Sequence, residues 1–328
     1  MAVTRISDVI VPAVFSDYVI RETMERARIF QAAILASDQR VSDFLGGGGQ
    51  TINLPMWNDI SGASNVGSDD PAVLAVPAKV TALADIAVRL SRNKGWSSAD
   101  LTSDLAGDDP MRVVANRVVD YWMREFEAIL VSVITGVVAK NILTYASDMV
   151  NDVSATAGAT ASAIIDTVQT LGDASDALST IVMHSQIYAS LAKQNLIDFI
   201  PDSEGRVRFP TYLGYNVIRD DSVLVTGSGA TAKYYTYLLG KDSLIFAEGS
   251  ARIPVETYRY PAQGNGAGVE ELWSRRELCF HPKGHKFVTA GMAGLSPTNA
   301  ELALAAAWDR VAPERKQVNI AVLISTKA

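Results

Sequence analysis

The stretch from Asp109 to about Tyr145 limits the possible folds of this chain more than any other. Asp109 supplies a capping carboxylate, and Pro110 a fixed φ at the first helical position, where the missing N–H has no partner to lose. Met111, Val114, Val118, Trp122, Phe126, Ile129, Val133 and Val137 then recur at steps of three and four, the spacing of one helical face. At 1.5 Å per residue the helix is on the order of 50 Å long, about the span of a small domain. In a chain without repeats, such a helix is a spine for other elements. Val118, Trp122, Phe126 and Ile129 are therefore predicted to be core, not the lining of a cofactor site. The most apolar run, Ala128 to Ala139, falls short of the roughly 20 residues that span a bilayer.

A chain of 328 residues suits two packed subdomains or one elaborated domain, and 48% hydrophobic with 20% charged residues describes a folded chain. The mean hydropathy of +0.13 suggests apolar surface covered by neighbouring subunits. A net charge of -7 and a pI near 5.1 argue against a dedicated nucleic-acid binder, which needs a basic face to displace counterions. The lone cysteine, Cys279, forms no intrachain disulfide and is compatible with a reducing cytoplasm. Val9 to Phe15 is short, contains Pro12 and lacks a basic leader, so no signal peptide is expected and the product reads as soluble and intracellular.

A terminal helix is predicted from Ser16 to about Ser37, with Ile20, Met24, Ala27 and Ile34 on one face and Arg21, Glu22, Glu25, Arg26 and Arg28 on a solvated one. Gly46, Gly47, Gly48 and Gly49 lack the Lys-Ser/Thr ending of a phosphate-binding loop and are read as a hinge. Beyond it, Thr51 to Ile60 and Ala78 to Arg92 are strands joined by a polar tip, Ser61 to Asp70, with Val80, Leu83, Ile86, Val88 and Leu90 as the apolar positions. So long a hairpin with so little to anchor its tip gains stability only when another chain covers it.

After a polar linker at Asn151 to Thr160 the pattern becomes a mixed subdomain. A helix runs from Ser162 to Leu171, a buried strand from Ser179 to Met183, and a helix capped by Ser185 to about Asn195. Strands follow at Tyr212 to Ile218, Lys233 to Leu239, Ser243 to Phe246 and Ile253 to Tyr258. Val269 to His281 alternates through Leu272, Ser274, Arg276, Leu278 and Phe280; Thr298 caps a helix to Trp308, and Lys316 to Thr326 is a last strand.

No catalytic, cofactor or metal site emerges. His184 and Ser185 are adjacent but lack a third partner. His281 and His285 are four apart, yet Pro282 and Gly284 prevent a helix from presenting both, and Cys279 faces away from Leu278 and Phe280. Gly264 to Gly268 lacks the strand–turn–helix setting of a dinucleotide loop. The doublets Asp69-Asp70, Asp108-Asp109 and Glu270-Glu271 suit turns and caps rather than acid–base pairs.

The order of parts (terminal arm, glycine hinge, long hairpin, capped spine, mixed subdomain, returning strands) resembles the Hong Kong 97-type, α+β major capsid proteins of tailed bacteriophages over nearly the whole chain. The runs Ala177 to Leu191 (ALSTIVMHSQIYASL), Tyr212 to Asp221 (YLGYNVIRDD) and Arg275 to Gly284 (RRELCFHPKG) are similar to steps of that family. The resemblance implies an N-terminal arm at 1–45, an extended loop with flanking strands at 46–104 and the peripheral spine helix at 105–150. It places the axial domain at 151–268 and, at 269–328, returning strands that complete both domains. It implies a non-enzymatic subunit that assembles through pentamers and hexamers into an icosahedral shell around double-stranded DNA, in a virion built in the host cytoplasm. Implied partners are other copies, scaffolding, portal and decoration proteins, and DNA by weak non-specific contact, with no cofactor and no membrane. Lys79 is the lone lysine of the loop strands, so no covalent cross-link site is recognised. The alternatives are an encapsulin-like nanocompartment shell or another phage assembly protein such as a tail-tube subunit.

Overall fold

The computed structural model describes residues 34–327 except 59, 61, 68, 71, 73, 107–109, 156–157, 195–197 and 202–206. Asp109 and the expected terminal helix up to residue 33 lie outside the described residues. The described chain opens with β1 (Leu35–Ala36), a strand where that helix was expected to continue. It is followed by α1 (Gln39–Gly46), capped by Asp38, whose carboxylate accepts the Arg40 N–H at 2.9 Å. Next come β2 (Thr51–Trp57), β3 (Ala82–Val88), β4 (Leu90–Ala99), α2 (Asp100–Ala106) and the spine, α3 (Pro110–Thr144). Where a linker was expected, β5 (Val150–Asp152) pairs in a sheet. Then follow α4 (Ala161–Val168), a 3-10 segment broken at Gly172, β6 (Leu178–Met183) and α5 (Ser185–Lys193). The cap of α5 is His184, not Ser185: its Nδ1 accepts the Gln186 N–H at 3.1 Å.

The remaining strands are β7 (Asp198–Pro201), β8 (Val207–Tyr212), β9 (Tyr215–Arg219), β10 (Val225–Thr226), β11 (Lys233–Gly240), β12 (Leu244–Gly249), β13 (Val255–Tyr260), β14 (Val269–Pro282) and β15 (His285–Phe287). A short α6 (Asn299–Leu302), β16 (Trp308–Arg310) and β17 (Ile320–Ser325) complete the described chain. The single strand expected at Tyr212 to Ile218 is a hairpin, turned by Leu213 at φ +50° and Gly214 at φ +84°, the left-handed pair that suits a two-residue turn. The Thr298 helix starts on a full capping box with Glu301 but stops at Leu302, because Trp308 enters a strand against β15.

Two sheets carry the fold. One has the order β5-β17-β11-β6-β9-β8-β7, with β10 beside β11. In the other, β14 takes β4 along one edge, while β12 and β13 share its other edge end to end; β1 adds to β12. The range 151–268 therefore divides between sheets: β12 and β13 belong with β14.

The spine, 35 residues and about 52 Å long, packs into one core with strands of both sheets. The eight-stranded sheet is covered on both faces. Alternate residues of β17 serve each side: Ile320, Val322 and Ile324 meet the spine's core, while Ala321 and Leu323 meet α4 and α5. Residues Arg117–Thr144 are long and apolar enough to cross a membrane by length and composition, which the shorter Ala128 to Ala139 window had not suggested. Half of their most apolar window is buried inside the protein, with Val133, Ile134 and Val137 in the core. Gly136 makes close packing possible: a Cβ there would lie 2.1 Å from the Leu302 carbonyl oxygen.

Candidate assembly surfaces

Among the described residues β2 and β3 pair only with each other, from Thr51 opposite Val88 to Trp57 opposite Ala82, forming a two-stranded arm. Its last rung is Asn58, whose backbone N–H donates to the Thr81 carbonyl at 2.9 Å. Every described residue from 60 to 81 is exposed. Trp57, Ile60, Val66, Leu74 and Val76 show between 71 and 91% of their surface to solvent. An isolated two-stranded hairpin is marginal in water without further strands or a covered apolar face.

The root of the arm is firmly held. Gly46 is the last residue of α1, Gly47 its C-cap, and only Gly49 has a left-handed φ, +122°. The Arg89 Nη2 donates to the carbonyls of Phe44, Leu45 and Gly47 at 2.7, 3.1 and 2.8 Å, placing a cation on the negative end of α1. Arg89 also interrupts the strand expected from Ala78 to Arg92. Before it Asp85 and Ala87 are buried, after it Leu90, and Val80 is exposed outside any strand. The Gly46–Gly49 run is thus half helix end and half turn, with Arg89 bolted across it. Asp85 is buried and faces His281 at 2.8 Å; its second oxygen accepts the Gly284 N–H at 3.3 Å.

Val118, Trp122, Phe126 and Ile129 are all buried. Trp122 Nε1 donates to Ser274 Oγ at 3.0 Å. The Arg276 guanidinium lies over both rings, 5.2 Å from Trp122 and 5.7 Å from Phe126, and forms an ion pair with Glu248. Burial raises the Glu248 pKa and lowers that of Arg276, and each partner's charge opposes the shift. Pro110 begins the described helix.

The other chemistry-bearing residues are scattered. His184 caps α5 and lies 3.6 Å from the exposed Asp221. His285 is buried, which pushes its pKa down to about 4. Cys279 lies in a small core with Val41, Leu45 and Leu54, on the side of β14 opposite Leu278 and Phe280; burial pushes its thiol up to about 12. Glu270 pairs with Arg259, as does Asp100, on the open surface. The Gly264 to Gly268 stretch is the turn between β13 and β14. Among the described residues no group of three or more His, Cys, Asp or Glu side chains is arranged to hold a metal. Asp85 and Arg89 were not singled out from sequence. The available signal was a charge of each sign inside an otherwise apolar strand.

A long spine under a five-stranded sheet, an eight-stranded α/β unit and an outstretched hairpin define the Hong Kong 97-type capsid fold. Among solved structures, the chain is similar to the cyanophage Pam1 capsid asymmetric unit (TM-score 0.56, 13% identity, 88% of this chain and 87% of that one). It is also similar to the capsid of Ralstonia phage GP4 (TM-score 0.55, 8% identity, 90% and 87%). A model described as "Major capsid protein 13-like" (Gp13-like) matches residues 123–319. The major capsid protein of Bacillus phage SPP1 is 41% identical over 322 residues, 96% of each chain. The chain belongs to the Gp13-like family of phage major capsid proteins.

Proposed function

We propose that this chain is the non-enzymatic subunit of an icosahedral shell, assembled through pentamers and hexamers around double-stranded DNA and located in the virion after assembly in the host cytoplasm. The observation that carries the reading is the arm, whose apolar residues Trp57, Ile60, Val66, Leu74 and Val76 are largely exposed. The eight-stranded unit with α4 and α5 forms the axial domain around each capsomer centre. The five-stranded sheet with α3 forms the peripheral domain, and Gly46 to Gly49 set the direction in which the arm leaves it. Subunits related by rotation close a heterologous interface into rings, and many modest contacts per copy add up. With a net charge of -7, the shell holds DNA by containment and weak non-specific contact. Scaffolding, portal and decoration proteins are its expected partners.

The test is negative-stain microscopy of the recombinant full chain, alone and with the scaffolding protein of its own phage. Closed round shells of uniform size are expected. Helical tubes, or particles absent under both conditions, would overturn the reading.

A further inference from the structure

The turn joining β13 to β14 contains Asn265-Gly266, the one place in the sequence where glycine follows asparagine. Every other asparagine precedes a residue whose side chain crowds the following amide.

The fold leaves this pair unguarded. Residues 261–266 are exposed, and Asn265 and Gly266 lie in the left-handed region at φ +58° and +89°, as in a two-residue hairpin turn. Their turn closes on one long bond, from the Ala267 N–H to the Gly264 carbonyl at 3.3 Å. Among the described residues nothing bonds the Gly266 N–H or the Asn265 side chain.

The base of the turn is fastened. The Gly268 N–H donates to the Gln263 carbonyl at 3.0 Å, and the Gly268 carbonyl accepts the Asp100 N–H at 3.1 Å. The tip can therefore open while both strands stay paired. Other asparagines are held. Asn141 donates to Asp148 at 2.6 Å and accepts the Met149 N–H, and Asn299, at the start of α6, donates to Glu125 at 3.1 Å.

We propose that Asn265 is a site of spontaneous deamidation, with water as the only co-reactant. The Gly266 amide nitrogen, having given its proton to a base, attacks the side-chain carbonyl carbon of Asn265. That bond closes a five-membered succinimide, and the side-chain nitrogen leaves as ammonia, taking up a proton. Water then opens the ring at either carbonyl. The product is aspartate or, with the main chain rerouted through the side chain, isoaspartate. Glycine favours the attack because it brings no Cβ into the approach and lets the backbone rotate toward it. Each converted copy gains one negative charge beyond the -7 of the parent chain. The turn thus keeps a covalent record of the time since synthesis, whether or not the chain builds a shell.

The test incubates the full-length protein at physiological temperature and maps its tryptic peptides by mass spectrometry. Cleavage at Arg259 and Arg275 isolates residues 260–275. The acid form of this peptide is expected to accumulate at least tenfold faster than that of the peptides carrying Asn141 or Asn299, and faster at alkaline than at mildly acidic pH. The aged protein is expected to accept methyl groups from an isoaspartate methyltransferase, and Asn265→Gln, whose ring would need six members, to remove most of that acceptance. The same chain unfolded in guanidinium chloride gives the unprotected rate, and folded protein is expected to convert within tenfold of it. A folded turn that slows conversion more than tenfold, or a 260–275 peptide that converts no faster than the Asn299 peptide, would overturn the proposal.

Discussion

Asp85, on the returning strand of the arm, and His281, on the longest strand of the body, meet at 2.8 Å with neither open to solvent. Gly284 adds its amide to the same carboxylate. This contact joins a two-stranded arm to a five-stranded sheet at a point where apolar packing alone would let the strands slide. Asp85→Ala leaves the histidine and the amide without their acceptor in a buried site and is expected to cost about 3 kcal/mol. Thermal unfolding checks this, with the larger effect expected in hydrogen exchange of β2 and β3 than of β17.

Next to that pair, His285 gives the protein a pH dependence. Burial holds its folded pKa near 4, below the ordinary value of 6.5; to smaller extents the Lys283 carbonyl and Asp85 raise it, while His281 and Arg310 lower it further. The unfolded chain therefore binds a proton that the folded one refuses between these values. Stability is complete above about pH 6.5 and falls as pH drops toward 4, by about 3 kcal/mol at most. Denaturation midpoints of His285→Gln measured between pH 7 and 4 are expected to fall less steeply than those of the parent.

The Arg276–Glu248 pair sits inside the body, 4% and 10% exposed. Arg276→Met abandons a buried carboxylate and is expected to cost roughly 3–5 kcal/mol. Adding Glu248→Leu removes the stranded charge, so the double variant should recover most of the loss. A double-mutant cycle by urea unfolding measures the coupling; additive losses would contradict it.

Two glycines give opposite expectations. Gly136→Ala forces a methyl into the Leu302 carbonyl and the Trp308 ring, and is expected to cost about 3 kcal/mol or more. Gly48→Ala meets nothing within 4 Å at an ordinary φ, so its melting temperature should match the parent's or exceed it slightly. A large loss at Gly48 would mean that the run needs backbone freedom not evident in its geometry.

Deleting residues 61–70 removes exposed chain and no buried side chain among those described. The variant is expected to keep the parent's far-ultraviolet circular dichroism and to sediment as a folded monomer. Normal particles from this deletion would remove the arm from the assembly argument.

The spine was legible because one periodicity governs 35 residues and nothing distant contradicts it. The two inner strands β14 and β17 were legible for a similar reason, as their alternate residues face different cores. What escaped notice was set by partners far away in sequence. Asp85 is buried by a histidine nearly two hundred residues later. Arg89 breaks its strand to reach carbonyls over forty residues earlier. β12 and β13 looked like parts of the mixed subdomain until β14 took them. Local pattern also placed the cap of α5 one residue late, since an imidazole acceptor is a less familiar cap than a serine hydroxyl.

The position of β17 bears on when a subunit becomes usable. It follows every other strand described here, yet it lies inside the eight-stranded sheet, paired with β5 and β11 and buried along its whole length. Until the ribosome has delivered residues 320–325, that sheet stops at β11, β5 has no neighbour to pair with, and the spine lacks part of its floor. A nascent chain therefore lacks the finished form of that sheet, and any subunit surface built on it, until those residues are made.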